Sequence, residues 1–311
     1  MHRRLFSPLL AAGLASALFG CRAPANALSH AEALALYATP LAPPRGKLSV
    51  FHLGHSLVGR DMPAMLAGLA GGGHASHSQL GWGSSLKDHW TKNINGYAAE
   101  NAHPAARPAP EALDSGVYQA VVFTEMVEIR DAIRFHQSAD YLQRWAQRAW
   151  DGNADVRLYL YETWPQTNDP EGWLNRVEKD LTRYWENDIL LPAVQALGRP
   201  IYLIPGGQAL ATTVRAVMAR GQVDGVSRIE DFFATTDQGS SDTIHFNDLG
   251  AYVIALTHYA VIYHASPIGL PRTLQRADGT PATAPGPQLA KLIQQSVWSV
   301  VRRSMKTGLA A

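Results

Sequence analysis

Short apolar runs of strand length alternate with longer segments of helical periodicity along most of this chain, and strands that alternate with helices imply a parallel sheet covered on both faces. Leu48 to Leu53 has the length and β-branching of a buried strand, and Met62 to Leu69 follows with apolar residues at helical spacing. Tyr118 to Phe123 reads as a strand, Arg134 to Trp150 as a helix, Arg157 to Tyr161 as a strand and Leu174 to Leu197 as a long helix. Pro200 to Ile204 is a further strand, followed by helices over Gln208 to Arg220 and Leu249 to His264. An extended connector at 273–286 leads to a last helix near Gln288 to Lys306. The Ala- and Pro-rich stretch Asn95 to Ser115 reads as a long surface loop, and loops of that length often serve as lids.

Composition removes several classes of function. The 311 residues carry 27 basic and 26 acidic side chains, so no phosphate-tracking surface for nucleic acid is expected. A single cysteine excludes a disulfide scaffold. Residues 1–20 read as an export signal: His2, Arg3 and Arg4 precede the apolar run Leu5 to Phe19, which is short for a bilayer span. The run ends Leu18-Phe19-Gly20-Cys21, which resembles the bacterial lipobox, and the resemblance implies a lipid on Cys21, a membrane contact through that lipid, and a periplasmic or cell-envelope location. Ala25-Asn26-Ala27 offers a competing site for plain secretion, and a retained anchor helix is a third reading. Loss of residues 1–20 leaves the charge near zero, so no steering toward anionic polymers is expected. Residues 21–46 read as lipid-attachment site and tether with one short helix at His30 to Tyr37, 47–271 as the functional domain, and 272–311 as a C-terminal extension.

In open parallel sheets ligands bind at the carboxyl ends of the strands, so chemistry is sought just after each one. Phe51-His52-Leu53-Gly54-His55-Ser56-Leu57 runs from a strand into a turn and then a helix; there a serine either exposes its hydroxyl beside the first helical amides or simply caps the helix. Near the other end, Asp242-Thr243-Ile244-His245 places a carboxylate three residues before an imidazole. A serine needs an imidazole to take its proton, and the imidazole needs a carboxylate to fix its tautomer.

Together, the Gly-His-Ser-Leu block and Asp242-x-x-His245 resemble the GDSL, or SGNH, hydrolases, over roughly Lys47 to Pro271. The resemblance implies an α/β fold, a flavodoxin-like three-layer α/β/α sandwich with a central parallel sheet. It implies ester hydrolysis through an acyl-enzyme with Ser56 as nucleophile, His245 as base and Asp242 as its orienter, and no metal or organic cofactor. The family completes its oxyanion hole with a glycine and an asparagine from two further blocks. Leu80-Gly81-Trp82-Gly83-Ser84-Ser85-Leu86 fits the first, with Gly83 beside the Ser56 amide and Gly81 in reserve. The other departs from the pattern, reading Thr124-Glu125-Met126. Three readings stay open there: Thr124 donates its hydroxyl, Glu125 is protonated or binds substrate hydroxyls, or the hole has two amides only. His55 stands where the family has aspartate.

Tryptophans near strand ends and loops, Trp82, Trp90, Trp164 and Trp173, are candidates for stacking on sugar rings, with Trp82 and Trp164 foremost, and Glu162 is a candidate to line the cleft. His74, His77 and His89 lack the spacing of a metal site and read as surface or hydrogen-bonding residues. The expected substrate is a small acyl ester or acetylated glycan. The alternatives are an O-acyltransferase on the same scaffold and a non-catalytic glycan-binding lipoprotein.

Overall fold

The computed structural model describes residues 27–310. The export signal, Cys21 and the start of the Ala25-Asn26-Ala27 site lie outside the described residues. In chain order the elements are α1 (His30–Ala35), β1 (Leu48–His55), α2 (Asp61–Ala70), β2 (His74–Gly81), α3 (Leu86–Thr91), α4 (Tyr97–Glu100), α5 (Ala109–Asp114) and β3 (Ala120–Thr124). They continue with α6 (Ile129–His136), α7 (Ser138–Gly152), β4 (Arg157–Glu162), α8 (Trp173–Asp180), α9 (Leu191–Leu197), β5 (Tyr202–Pro205) and α10 (Gly206–Met218). A hairpin of β6 (Phe233–Thr235) and β7 (Ser241–Phe246) precedes α11 (Asp248–Tyr263) and α12 (Pro287–Arg303).

The main sheet is parallel throughout, in the order β2-β1-β3-β4-β5. Helices α2, α10, α11 and α12 pack together on one side, and α3, α5, α7 and α9 on the other, which is the three-layer α/β/α arrangement. Chain direction across the sheet reverses between β1 and β3, and the crevice above such a switch point is where doubly wound sheets bind ligands. Ser56 follows β1 at that crevice. The central strands are apolar because both faces are covered, and β3 is buried along its whole length. By contrast β2, an edge strand, reads His-Ala-Ser-His-Ser-Gln-Leu-Gly and is only partly buried in its first half, so no apolar run marks it.

Four expectations change. The helix expected over Arg134 to Trp150 is two helices, broken at Gln137, whose φ of 54° ends α6 and starts α7. The helix expected over Leu174 to Leu197 is one helical run with a wide π-type stretch at Leu181–Leu190, which ends where Pro192 has no N–H to continue the wide ladder and α9 begins. The stretch Asn95 to Ser115 is a strap, not a lid: Ser78 donates to Ala105 O at 3.1 Å and accepts from Arg107 N at 3.0 Å, so the strap covers part of the open edge of β2. The tether is shorter than residues 21–46. Leu28 N donates to Gln195 O at 2.9 Å, Ala33 is fully buried, and the Tyr37 hydroxyl donates to Ile201 O at 2.7 Å, so the chain is docked from Leu28 onward.

The hairpin lies outside the main sheet and is held by the loop after β4. Thr167 N donates to Thr243 O at 2.7 Å, and the indole of Trp164 donates to Ile244 O at 3.0 Å. That loop is itself anchored by Arg176, 2% exposed, which binds Asp169 at 2.6 Å, Asp180 at 2.8 Å and Glu128 at 3.0 Å. Removing a buried cation leaves its carboxylates uncompensated. Arg176→Met is therefore expected to lower stability by about 3 kcal/mol, the low end of the range for broken buried pairs because Glu128 is partly exposed. Guanidinium unfolding followed by circular dichroism reads the change, and a loss under ~1 kcal/mol, as for a surface pair, would contradict it.

Candidate active site

The turn after β1 is tight: Val58 N donates to His55 O at 2.9 Å, and Ser56 is left partly exposed at its outer corner. Gly54 is required just before it, because a Cβ there would sit 2.8 Å from that of Thr124. The His55 ring pins both sides of the turn. Its Nε2–H donates to Glu125 O at 2.8 Å, and its Nδ1 accepts from Leu57 N at 3.3 Å. Burial lowers the His55 pKa to about 4, so the ring is a neutral strut at working pH. His89 is a second strut, again held neutral by burial with a pKa of about 4, whose Nε2 donates to Gly54 O at 2.8 Å while Gln79 Nε2 donates to its Nδ1 at 2.9 Å.

The structure brings Ser56, His245 and Asp242 together. Ser56 Oγ donates to His245 Nε2 at 2.9 Å, and His245 Nδ1–H donates to Asp242 Oδ2 at 2.9 Å. The other oxygen of Asp242 accepts from Ile244 N at 2.7 Å and His245 N at 2.9 Å, so a local turn inside β7 presets the pair. Burial alone pushes the Asp242 carboxyl up, but these two amides and the His245 ring together hold it below the ordinary value. The group is thus an ionised acceptor at neutral pH, which keeps the Nδ1–H tautomer and leaves Nε2 free to take a proton. The site is open, with the His245 side chain 45% exposed.

Of the oxyanion candidates, the amides of Ser56 and Gly83 have no hydrogen-bond acceptor among the described residues. The register that pairs His55 with Gly81 sets their turns side by side. Gly83 is exposed with φ of 54°, whereas Gly81 is a packing glycine, since a Cβ there would collide with Ile94 and Ser84. Thr124 is corrected: it is fully buried against Gly54, and its hydroxyl, unpartnered and sealed from solvent, is not placed to meet a substrate.

Glu125 is corrected as a substrate contact, while the reading that it is protonated agrees with its burial. It is fully buried beneath the site and accepts from Met126 N at 2.8 Å and Leu86 N at 3.3 Å, so it holds the segment after Gly83 instead of contacting substrate. Trp164, 2% exposed, packs on Phe233 and Phe246 and supports the hairpin. Trp90 stacks edge-on against Trp145, and Trp173 is buried against Phe233. Glu162 is buried under α10, accepting from the Gln208 amide at 3.2 Å, and does not line the cleft. Trp82 alone of these tryptophans is largely exposed. His74 is hydrogen-bonded to Tyr263 at 2.7 Å, and no cluster of three or more metal-ligating side chains occurs among the described residues.

The supporting roles of His55, His89, Gln79 and Glu125 are not readable from sequence, because each depends on contacts 10 to 70 residues away. The one local signal is the histidine directly before the serine.

No protein-family model matches the sequence, and no curated protein is significantly similar to it. Among solved structures, a DUF4886 family protein from Bacteroides uniformis superposes with a TM-score of 0.58 at 13% sequence identity, covering 82% of this chain and 95% of that one. At that identity the likeness concerns the fold alone. A GDSL-like lipase from Parabacteroides merdae, at 11% identity over 71% of this chain and 97% of its own, gives a TM-score of 0.39. Phospholipase A1 from Streptomyces albidoflavus, at 12% identity over 69% and 100%, gives 0.38, and neither bears on what this chain does.

Glu125 makes stability depend on pH. Burial raises its pKa from the ordinary 4.5 to about 7, with the Met126 and Leu86 amides opposing. Between those values the unfolded chain has lost the proton that the folded chain keeps, so the Glu125 contribution to stability falls as pH rises through this window. Glu125→Gln keeps the acceptor for both amides and removes the titration. The urea midpoint of the variant minus that of wild type is expected to rise between pH 4.5 and 8, because the buried histidines titrate alike in both chains; a constant difference would refute the assignment.

Proposed function

We propose that the protein is an exported SGNH-type serine hydrolase that cleaves small acyl esters, foremost an O-acetyl group on a carbohydrate, through an acyl-enzyme. The observation that carries this is the unbroken Ser56–His245–Asp242 chain, with both hydrogen bonds at 2.9 Å and the free amides of Ser56 and Gly83 beside it. Ser56 Oγ attacks the carbonyl carbon as its proton passes to His245 Nε2, and Asp242 stabilises the imidazolium. The two amides receive the oxyanion. Collapse expels the alcohol, which takes the proton from His245, and leaves the acyl group on Oγ. Water then attacks with His245 as base, releases the carboxylic acid and restores the serine. A hole without its third donor is expected to run about 10²-fold slower than a complete one.

The exposure of His245 gives water free access and favours hydrolysis over transfer to a second alcohol. Export rests on the leader, with lipid attachment at Cys21 as the favoured route and plain secretion as the alternative.

Wild type is expected to hydrolyse p-nitrophenyl acetate and to be labelled by a fluorophosphonate, with both lost in Ser56→Ala. Asp242→Asn is expected to lower kcat by about 10⁴-fold, since an amide at that position no longer enforces the tautomer. A folded wild type with neither label nor turnover would end the hydrolase reading and favour the binding protein.

A further inference from the structure

Trp82 is 57% exposed, yet its ring is fixed from behind. One face of its indole lies on Gly96, where φ is 67° and an added Cβ would collide with the ring. The ring Nε1–H donates to Glu100 Oε1 at 2.8 Å, and the Trp82 amide donates to Asn95 O at 2.8 Å. Its support is fixed in turn. Asn101 bridges the N–H and C=O of Leu80 at 3.0 and 2.8 Å, and Arg60, four residues after Ser56, donates to Ala99 O at 2.7 Å and Glu100 O at 3.2 Å. What sets Trp82 apart from the other exposed apolar side chains is this fixing from behind, which leaves a flat aromatic face open beside the turn that carries Gly83.

Resting on the hydrolase reading above, we propose that Trp82 is a stacking shelf for a sugar ring of the ester's alcohol part, with Glu100 and Arg60 at its rim to meet ring hydroxyls. The shelf directly precedes Gly83, and the pairing of His55 with Gly81 sets it beside the Ser56 turn. For the shelf to serve the reaction, a ring stacked there has to present its acylated oxygen to Ser56. The chemistry favours a saccharide over a fatty chain or a flat arene. The polarised C–H face of a pyranose suits the negative face of an indole, and the charged rim suits hydroxyls, for which an arene has no counterpart. Because the shelf is prearranged, binding costs little ordering. Arg60 also walls a groove of about 750 Å³ between α2 and β2, with Asp61, His77, His103 and Arg276 along it. That volume is in the range of ligand sites and gives room for neighbouring units of a polymer.

The test uses the Ser56→Ala chain, which binds without turnover, run through native gels containing soluble O-acetylated xylan or O-acetylated peptidoglycan fragments. Retardation by at least one polymer is expected. Adding Trp82→Ala is expected to weaken it about tenfold or more, as for loss of one aromatic stacking contact, while Trp82→Phe keeps most of it. Gly96→Ala, which keeps the indole but displaces it, is expected to weaken binding as well. Thermal unfolding of each variant confirms that it is folded. Retardation by neither polymer, equal retardation of the Trp82→Ala chain, or displacement by naphthyl acetate but by no saccharide would overturn the shelf. Fluorophosphonate labelling of wild type separates the two readings. Label without retardation rejects the shelf alone; Trp82-dependent retardation without label rejects the hydrolase alone.

Discussion

The hydrogen bond between Ser56 and His245 joins positions 189 residues apart, and its two ends are held by different means. Ser56 stands on the end of a central strand, where sheet pairing and buried neighbours fix the backbone. His245 belongs to a small hairpin that shares no ladder with the main sheet. Its position depends on Trp164 and Thr167 reaching the carbonyls of Ile244 and Thr243, and so on Arg176 holding the loop that carries them. The triad geometry thus draws on a salt-bridge cluster that touches none of its members, in addition to the turn that joins Asp242 to His245.

Beneath the nucleophile the protein buries polar groups but keeps them uncharged. His55 and His89 are neutral struts, and Glu125, with a pKa raised by burial to about 7, keeps its proton below that pH. Burying a neutral, hydrogen-bonded group costs far less than burying a charge. This lets the floor of the site be rigid and directional without competing with the charge that develops on His245 during the proposed reaction.

What was legible in the sequence was local. Ser56 sits at a strand-to-helix junction, and Asp242 and His245 are close enough along the chain to bond in one turn, so both halves of the triad carry their own signal. The alternation of strands and helices announced the sheet, except at β2, where an edge position replaces the apolar run with polar residues. Glu125 and Trp164 were misread for one reason: a residue at a strand end looks the same in sequence whether it faces the crevice or the layer below. In both cases distant segments decide, α3 for Glu125 and the hairpin for Trp164. Thr124 failed similarly, sealed by its contact with Gly54.

The docking of the chain from Leu28 onward changes how the protein would work at a surface. With a lipid on Cys21, as proposed, only residues 22–27 separate the anchor from the folded body, a leash of at most ~25 Å when fully drawn out. The leash emerges near α9 and β5, at the opposite edge of the sheet from the β2 strap and Trp82. Under that proposal the reach of the site would be set by the length of the folded body, because attachment and Trp82 lie at opposite edges of the same sheet.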